Sequence, residues 1–232
     1  MSGFVIAPPP MPSIPVHGRS ERFPVRRIFC VGRNYADHAR EMGHDPDREP
    51  PFFFSKPADA LLTDGADLPY PSATKNLHFE AELVVALGAG GANVAPKEAG
   101  SLIWGFAAGN DLTRRDLQAE AKRMGRPWDM AKGFDHSALC GTLHPVQETG
   151  PMAKGRMMLE VNGIVRQDCC LSQMIWPVPD IIAALSRMVC LSPSDLIYSG
   201  TPAGVGAVVP GDRMIVRIEG LEPLINNVVL AD

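Results

Sequence analysis

No apolar run in these 232 residues approaches the roughly 20 that a bilayer-spanning helix requires, so a membrane partner is not expected. The first residues show no charged stretch followed by an apolar one, and no secretory signal is expected either. Basic blocks are missing. Arg26-Arg27, Arg114-Arg115 and Lys122-Arg123 are isolated pairs in a chain of formal net charge −4, which argues against nucleic acid and acidic lipid as partners. The five cysteines are odd in number and lack metal-finger spacing. Cys169 and Cys170 are adjacent, an awkward arrangement for a disulfide framework, so free thiols in a reducing cytoplasm are the expectation. No internal repeat is visible. The Gly-rich stretch from Gly200 to Gly206 has no Gly-Lys-Ser/Thr and is not a Walker loop.

What is present centres on His78-Phe79-Glu80-Ala81-Glu82-Leu83-Val84-Val85. Extended side chains alternate between faces, so Glu80 and Glu82 project together while Phe79, Ala81, Leu83 and Val85 share the other side. Two carboxylates about 7 Å apart along a strand repel unless a positive charge lies between them. A hard divalent cation, Mg²⁺ or Mn²⁺, takes oxygen ligands and would make the pair favourable. The apolar run from Leu102 to Asn110 reads as a second strand and delivers Asp111, a third candidate ligand. Two Glu and one Asp would leave coordination positions for water or substrate. A solvated strand face accounts for Glu80 and Glu82 equally simply.

The rest of the chain reads as short strands with a few helices. Residues 1–22, with five prolines, read as an arm lying on the surface or across a partner subunit, or as a tail; residues 23–232 read as a single domain. Val25–Gly32 is β-like and leads to a short helix holding His38 and Glu41, three residues apart on one face. A carboxylate beside an imidazole orients it and raises its pKa, as a general base needs, although a surface pair fits the same spacing. The polar, Pro-rich stretch 43–51 after it reads as a mobile lid. Lys56 ends an aromatic strand, free to reach an anion or to stay solvated. Thr113 is a plausible N-cap for the helix from Arg114 to Met124, closed by Gly125, with Arg115 and Gln118 sharing a face near Asp111. Lys132 follows a hydrophobic patch, where a partly desolvated ammonium stabilises an oxyanion. Asn162-Gly163 marks a hairpin, 177–189 a helix, and 196–199, 214–218 and 225–230 strands.

Six segments, GRNYADHAREMG, FFFSKP, HFEAELVVALG, GFAAGNDLTRRDLQ, WDMAKGFD and YSGTPAGVG, occur in one order from about residue 24 to the end. Together they resemble the fumarylacetoacetate hydrolase superfamily. The resemblance implies an α+β, mainly β fold, a mixed β-roll or sandwich of that family's C-terminal-domain type with a few short helices, and a homodimer. It implies Mg²⁺ or Mn²⁺ on Glu80, Glu82 and Asp111, with Asp37 as a further candidate ligand. It places a water-activating dyad on His38 and Glu41, an oxyanion-stabilising lysine on Lys132, and substrate contacts on Arg115, Gln118 and Thr201. Lys56, Arg33 or Arg40 would meet a distal carboxylate. The implied chemistry is hydrolysis of a C–C bond in a 2,4-dioxo acid. The short single-domain form, the Pro-rich arm and the Met-Ala-Lys-Gly-Phe-Asp context look most like members that split fumarylpyruvate into fumarate and pyruvate in aromatic catabolism. Oxaloacetate decarboxylation and 2-hydroxyhepta-2,4-diene-1,7-dioate isomerisation or decarboxylation use the same scaffold and remain alternatives. So does a metal and keto-acid binding protein without turnover.

Overall fold

A computed structural model describes residues 3–41 and 50–231, with the backbone alone at 39 and 41. The strand Ala81–Leu87 is buried at every residue, on both faces. That alone removes the solvated-face reading of Glu82. This strand lies mid-way in a mixed sheet of eight strands. Its path runs Phe53–Lys56, Arg27–Val31, Asp195–Tyr198, Ala81–Leu87, Ile103–Asp111, Ala138–Cys140 and Leu61–Leu62, and His144–Pro145 pairs off the path onto Ile103–Asp111. Leu83 and Val85 face one core, shared with Leu159, Val216 and Leu224 of a five-stranded sheet. Val84 and Ala86 face a second core with Ile28, Leu196 and Tyr198. Burial on both faces explains why the strand reads as an almost unbroken apolar run. The expected fold class is the observed one: mainly β, with short helices.

The Glu-x-Glu segment differs from expectation in one respect. It is not a single strand, for pairing breaks at Glu80. Leu77–Phe79 belongs to a separate three-stranded sheet with Thr113–Arg114 and Gly206–Val208. The Glu80 N–H is instead taken by the Asn110 side chain at 2.8 Å, and the Glu80 carbonyl accepts the Asp111 N–H at 2.8 Å. Register survives the break. Ala81 pairs with Asn110 on one side of it and His78 with Thr113 on the other, so Glu80 lies opposite Asp111. Opposed residues of antiparallel strands share a face, and Glu80, Glu82 and Asp111 therefore project together.

Other elements match their sequence signals closely. Asn162 (φ 54°) and Gly163 (φ 79°) form the turn between Arg156–Val161 and Ile164–Cys170, both in the left-handed region that this two-residue hairpin demands. The helix Arg115–Met124 ends at Gly125 with φ 62°. Thr113 is not its N-cap. It pairs with His78 in a short strand, and the helix starts two residues later without a side-chain cap. Within the Pro-rich segment, Ser13–Pro15 pairs with Arg22–Pro24 and Ile14 is fully buried, so residues from 13 onward are stitched into the second core. Phe4, Val5, Ile6 and Met11 remain exposed. All five cysteines are free thiols. No helix among the described residues is long and apolar enough to cross a membrane.

Gly109 sits opposite Glu82 where nothing larger fits. A Cβ there would lie 2.4 Å from Val84 Cγ2 and 2.9 Å from Tyr198 Cε1. Gly109→Ala should therefore lower stability by about 1–3 kcal/mol through overpacking, read as a lower urea midpoint at unchanged slope.

Candidate metal centre

Glu80, Glu82 and Asp111 are all buried, and each offers a carboxylate oxygen within 4.8 Å of the others. Among the described residues, three cations surround them. Lys132 Nζ lies 2.7 Å from Glu80 Oε2 and 2.9 Å from Asp111 Oδ2. Lys56 Nζ lies 2.7 Å from Asp111 Oδ1. The Arg115 guanidinium donates to Glu80 Oε1 and, at 2.7 Å, to Gln118 Oε1. Among the described residues Glu82 has no cation of its own. It accepts the Gly200 N–H at 2.8 Å, from a glycine held at φ 97° against Asn34. A Cβ at Gly200 would come within 2.7 Å of Asn34 Cβ, so this backbone donor depends on glycine.

The electrostatics follow from that layout. Burial alone would raise Glu80, but Lys132, Arg115 and His38 outweigh it and hold its carboxyl below the usual range. Burial pushes Glu82 well above that range; the Asp111 and Glu80 carboxylates push the same way, and Lys132 and the Gly200 N–H only partly offset them. Burial disfavours the Lys132 ammonium, yet Asp111 and Glu80 raise it above its ordinary value. Lys132 is thus a fixed cation rather than a base. Buried ion clusters are poor devices for stability, since desolvation consumes most of the Coulombic gain. A buried cluster of this kind, with its titrations shifted by named charge partners, marks a candidate functional site.

The structure gathers most of the residues singled out from the sequence. Besides the three acids, Lys132, Arg115 and Gln118 are buried or nearly so around them, and Thr201 follows Gly200 directly. His38 is buried in the short helix Ala36–Glu41, close enough to act on the charge of Glu80. The Glu41 side chain and residues 43–49 of the lid expected at 43–51 lie outside the described residues. Two residues sit away from the positions expected of them. Lys56 is fully enclosed, where it holds Asp111 and donates to the Leu112 and Lys132 carbonyls. Asp37 is no fourth ligand; it is exposed and paired with Arg40 at 2.7 Å.

Sequence reasoning missed Asn110, Asn34 and Gln167. Asn110 closes an apolar run just before Asp111, a signal that was legible. Asn34 bridges the Ser199 carbonyl and Trp176, and Gln167 bridges three segments; neither shows any spacing that marks it. A second convergent group, His17, His144 and Glu148, is engaged otherwise. The two rings stack at 4.4 Å, His17 Nδ1 faces Glu222 Oε1 at 3.0 Å, and His144 Nε2 accepts the Glu222 N–H at 3.1 Å.

Residues 27–229 match the family described as "Fumarylacetoacetate (FAA) hydrolase C-terminal". The chain belongs to that family. It is 46% identical, over 182 residues covering 78% of this chain and 94% of the relative, to a fumarylpyruvate hydrolase of Ralstonia sp. It is 40% identical to the mitochondrial oxaloacetate tautomerase FAHD1 of Rattus norvegicus, covering 84% of this chain and 88% of that one. It superimposes at TM-score 0.97, with 48% identity over 99% of this chain and 100% of the other, on a crystal structure of fumarylpyruvate hydrolase from Pseudomonas aeruginosa in complex with Mn²⁺ and pyruvate.

Family members use divalent metals, and the residues here fit one. The donors are hard oxygens, as Mg²⁺ and Mn²⁺ prefer. Among the described residues, Asp111 Oδ1 has the Lys56 contact but no hydrogen bond, and Glu82 has only a backbone donor. Burial and the neighbouring carboxylates favour the protonated form of Glu82, and a divalent cation would favour the ionised one. The sign is clear: a carboxyl raised in the folded state binds protons the unfolded chain has released, so metal-free stability falls as pH rises from the ordinary glutamate range through the raised value. Calorimetric titration with Mn²⁺ near neutral pH, in buffers of different ionisation enthalpy, should therefore show release of about one proton. Glu82→Gln should abolish that release.

Proposed function

We propose that this chain hydrolyses the C3–C4 bond of a 2,4-dioxo acid, and that its substrate is fumarylpyruvate, giving fumarate and pyruvate. The supporting observation is charge. With all three buried carboxylates ionised, Lys56, Lys132 and Arg115 balance them, so the ligand set itself adds no net charge. With a divalent cation it would carry two positive charges in excess, suited to a keto acid that enters as a carboxylate and leaves as carboxylate plus enolate. Glu80, Glu82 and Asp111 would hold Mg²⁺ or Mn²⁺, which as a Lewis acid polarises the keto-acid oxygens and stabilises negative charge.

The chain's own residues then divide the work. His38, oriented by Glu41, takes a proton from water as it attacks the C4 carbonyl. Lys132, permanently protonated between Glu80 and Asp111, stabilises the developing oxyanion. Gln118 and Thr201 bind the substrate's polar groups, and Arg115 does so while holding Glu80. Neither a serine nor a cysteine nucleophile is required. A second reading, tautomerisation of oxaloacetate, draws support from the 40% identical relative of that name. It needs proton transfer but no attacking water.

Loss of the enol absorbance of fumarylpyruvate in the presence of Mn²⁺, set against oxaloacetate enol–keto exchange, separates the two readings. The hydrolase reading expects fumarate and pyruvate in equal amounts, and His38→Ala to cut turnover at least about 100-fold with Mn²⁺ affinity retained. Failure to turn over any 2,4-dioxo acid would rule it out.

A further inference from the structure

Gln167 lies in the hairpin strand Ile164–Cys170, where most of its neighbours are exposed, yet it is itself 1% exposed. Its amide can point only one way. The Ala81 N–H, a pure donor, stands 2.9 Å from one end and must meet Oε1. The Pro202 carbonyl, a pure acceptor, stands 2.8 Å from the other and must meet Nε2. The remaining N–H of Nε2 therefore goes to Thr201 Oγ1 at 2.8 Å, and Thr201 accepts. No acceptor for the Thr201 hydroxyl proton is present among the described residues, although Thr201 is only 3% exposed. A buried donor left so is costly unless a ligand completes it.

The surroundings say which ligand. Gly200, the preceding residue, donates its N–H to Glu82 Oε2, which sets Thr201 beside the metal centre. Ala81, the other end of the strut, lies between Glu80 and Glu82. One amide thus ties the ligand-bearing strand to the Gly-rich loop. A carboxylate accepts hydrogen bonds and donates none. We propose that Gln167 is a positioning residue that fixes the polarity of Thr201, so that Thr201 donates its proton to the carboxylate of the bound keto acid. This rests on the hydrolase reading above, and it assigns to Gln167 a role in substrate affinity rather than in the chemical step.

Gln167→Glu is the discriminating variant. It keeps an oxygen for the Ala81 N–H and keeps the shape, but it loses the amide donors. Ionised, the new carboxylate has only acceptors and draws the Thr201 proton to itself. The expected result is a rise of about 10- to 100-fold in KM for fumarylpyruvate and in the inhibition constant of pyruvate. Over the same comparison kcat should stay within about threefold and Mn²⁺ affinity within about twofold, because the metal-side bond is intact. Gln167→Leu, which removes both ends, should weaken Mn²⁺ binding as well. Thr201→Val should lose affinity to the same degree and Thr201→Ser should restore it, while adding Gln167→Glu to Thr201→Val should cost nothing more. A folded Gln167→Glu enzyme with wild-type KM overturns the proposal, as does a double variant that suffers both losses in full. Should glutamate at 167 not fold, the threonine pair decides: wild-type pyruvate affinity in Thr201→Val overturns it. If the wild type turns over no 2,4-dioxo acid, the hydrolase reading fails by itself. Calorimetric binding of pyruvate to the Mn²⁺-loaded variants still tests the Thr201 polarity.

Discussion

Mutual repulsion of Glu80, Glu82 and Asp111 in a water-poor corner is the constraint around which this molecule is arranged. Unscreened, three buried carboxylates within 4.8 Å would not ionise together. The chain answers with Lys132 across two of them, Lys56 on one and Arg115 on another. Glu82, which receives no cation among the described residues, is the member left to take a proton or a metal. The asymmetry matters chemically. The two acids that the lysines and arginine neutralise are anchored, and the third is the one whose ionised form a divalent ion would favour.

Register makes that corner possible. The chain leaves one sheet and enters another at Glu80, and such a transfer would ordinarily let adjoining strands slip. Asn110 and Asp111 span the break with a side-chain acceptor and a backbone donor, so the pairing of His78 with Thr113 and of Ala81 with Asn110 stays in phase. A one-residue slip would turn Asp111 to the opposite face and leave its carboxylate in the apolar core. Gly109, on one adjoining strand, and Gly200, two residues past the end of the other, flank Glu82, one because Val84 and Tyr198 crowd it, the other because its φ of 97° aims an N–H at the carboxylate.

The sequence made the outline readable because its signals were local. Alternation put Glu80 and Glu82 on one face, Asn162-Gly163 named its turn, and Gly125 closed its helix. The family resemblance extended this to Lys132, Arg115, Gln118 and Thr201, which the fold does assemble. What could not be read was long-range. Lys56 looks the same in sequence whether it meets solvent or Asp111, 55 residues on; only the pairing of its strand with Arg27–Val31 decides. Asp37 carries an acidic side chain near His38, but the helix turns it outward to Arg40. Gln167 bridges residues 86 and 34 positions away, and no spacing rule marks such a strut.

A crystal soaked in Mn²⁺ and measured at the manganese absorption edge tests this account most directly. One anomalous peak is predicted, bounded by oxygens of Glu80, Glu82 and Asp111. An empty map there, with the three carboxylates unbridged at saturating metal, would contradict the central claim.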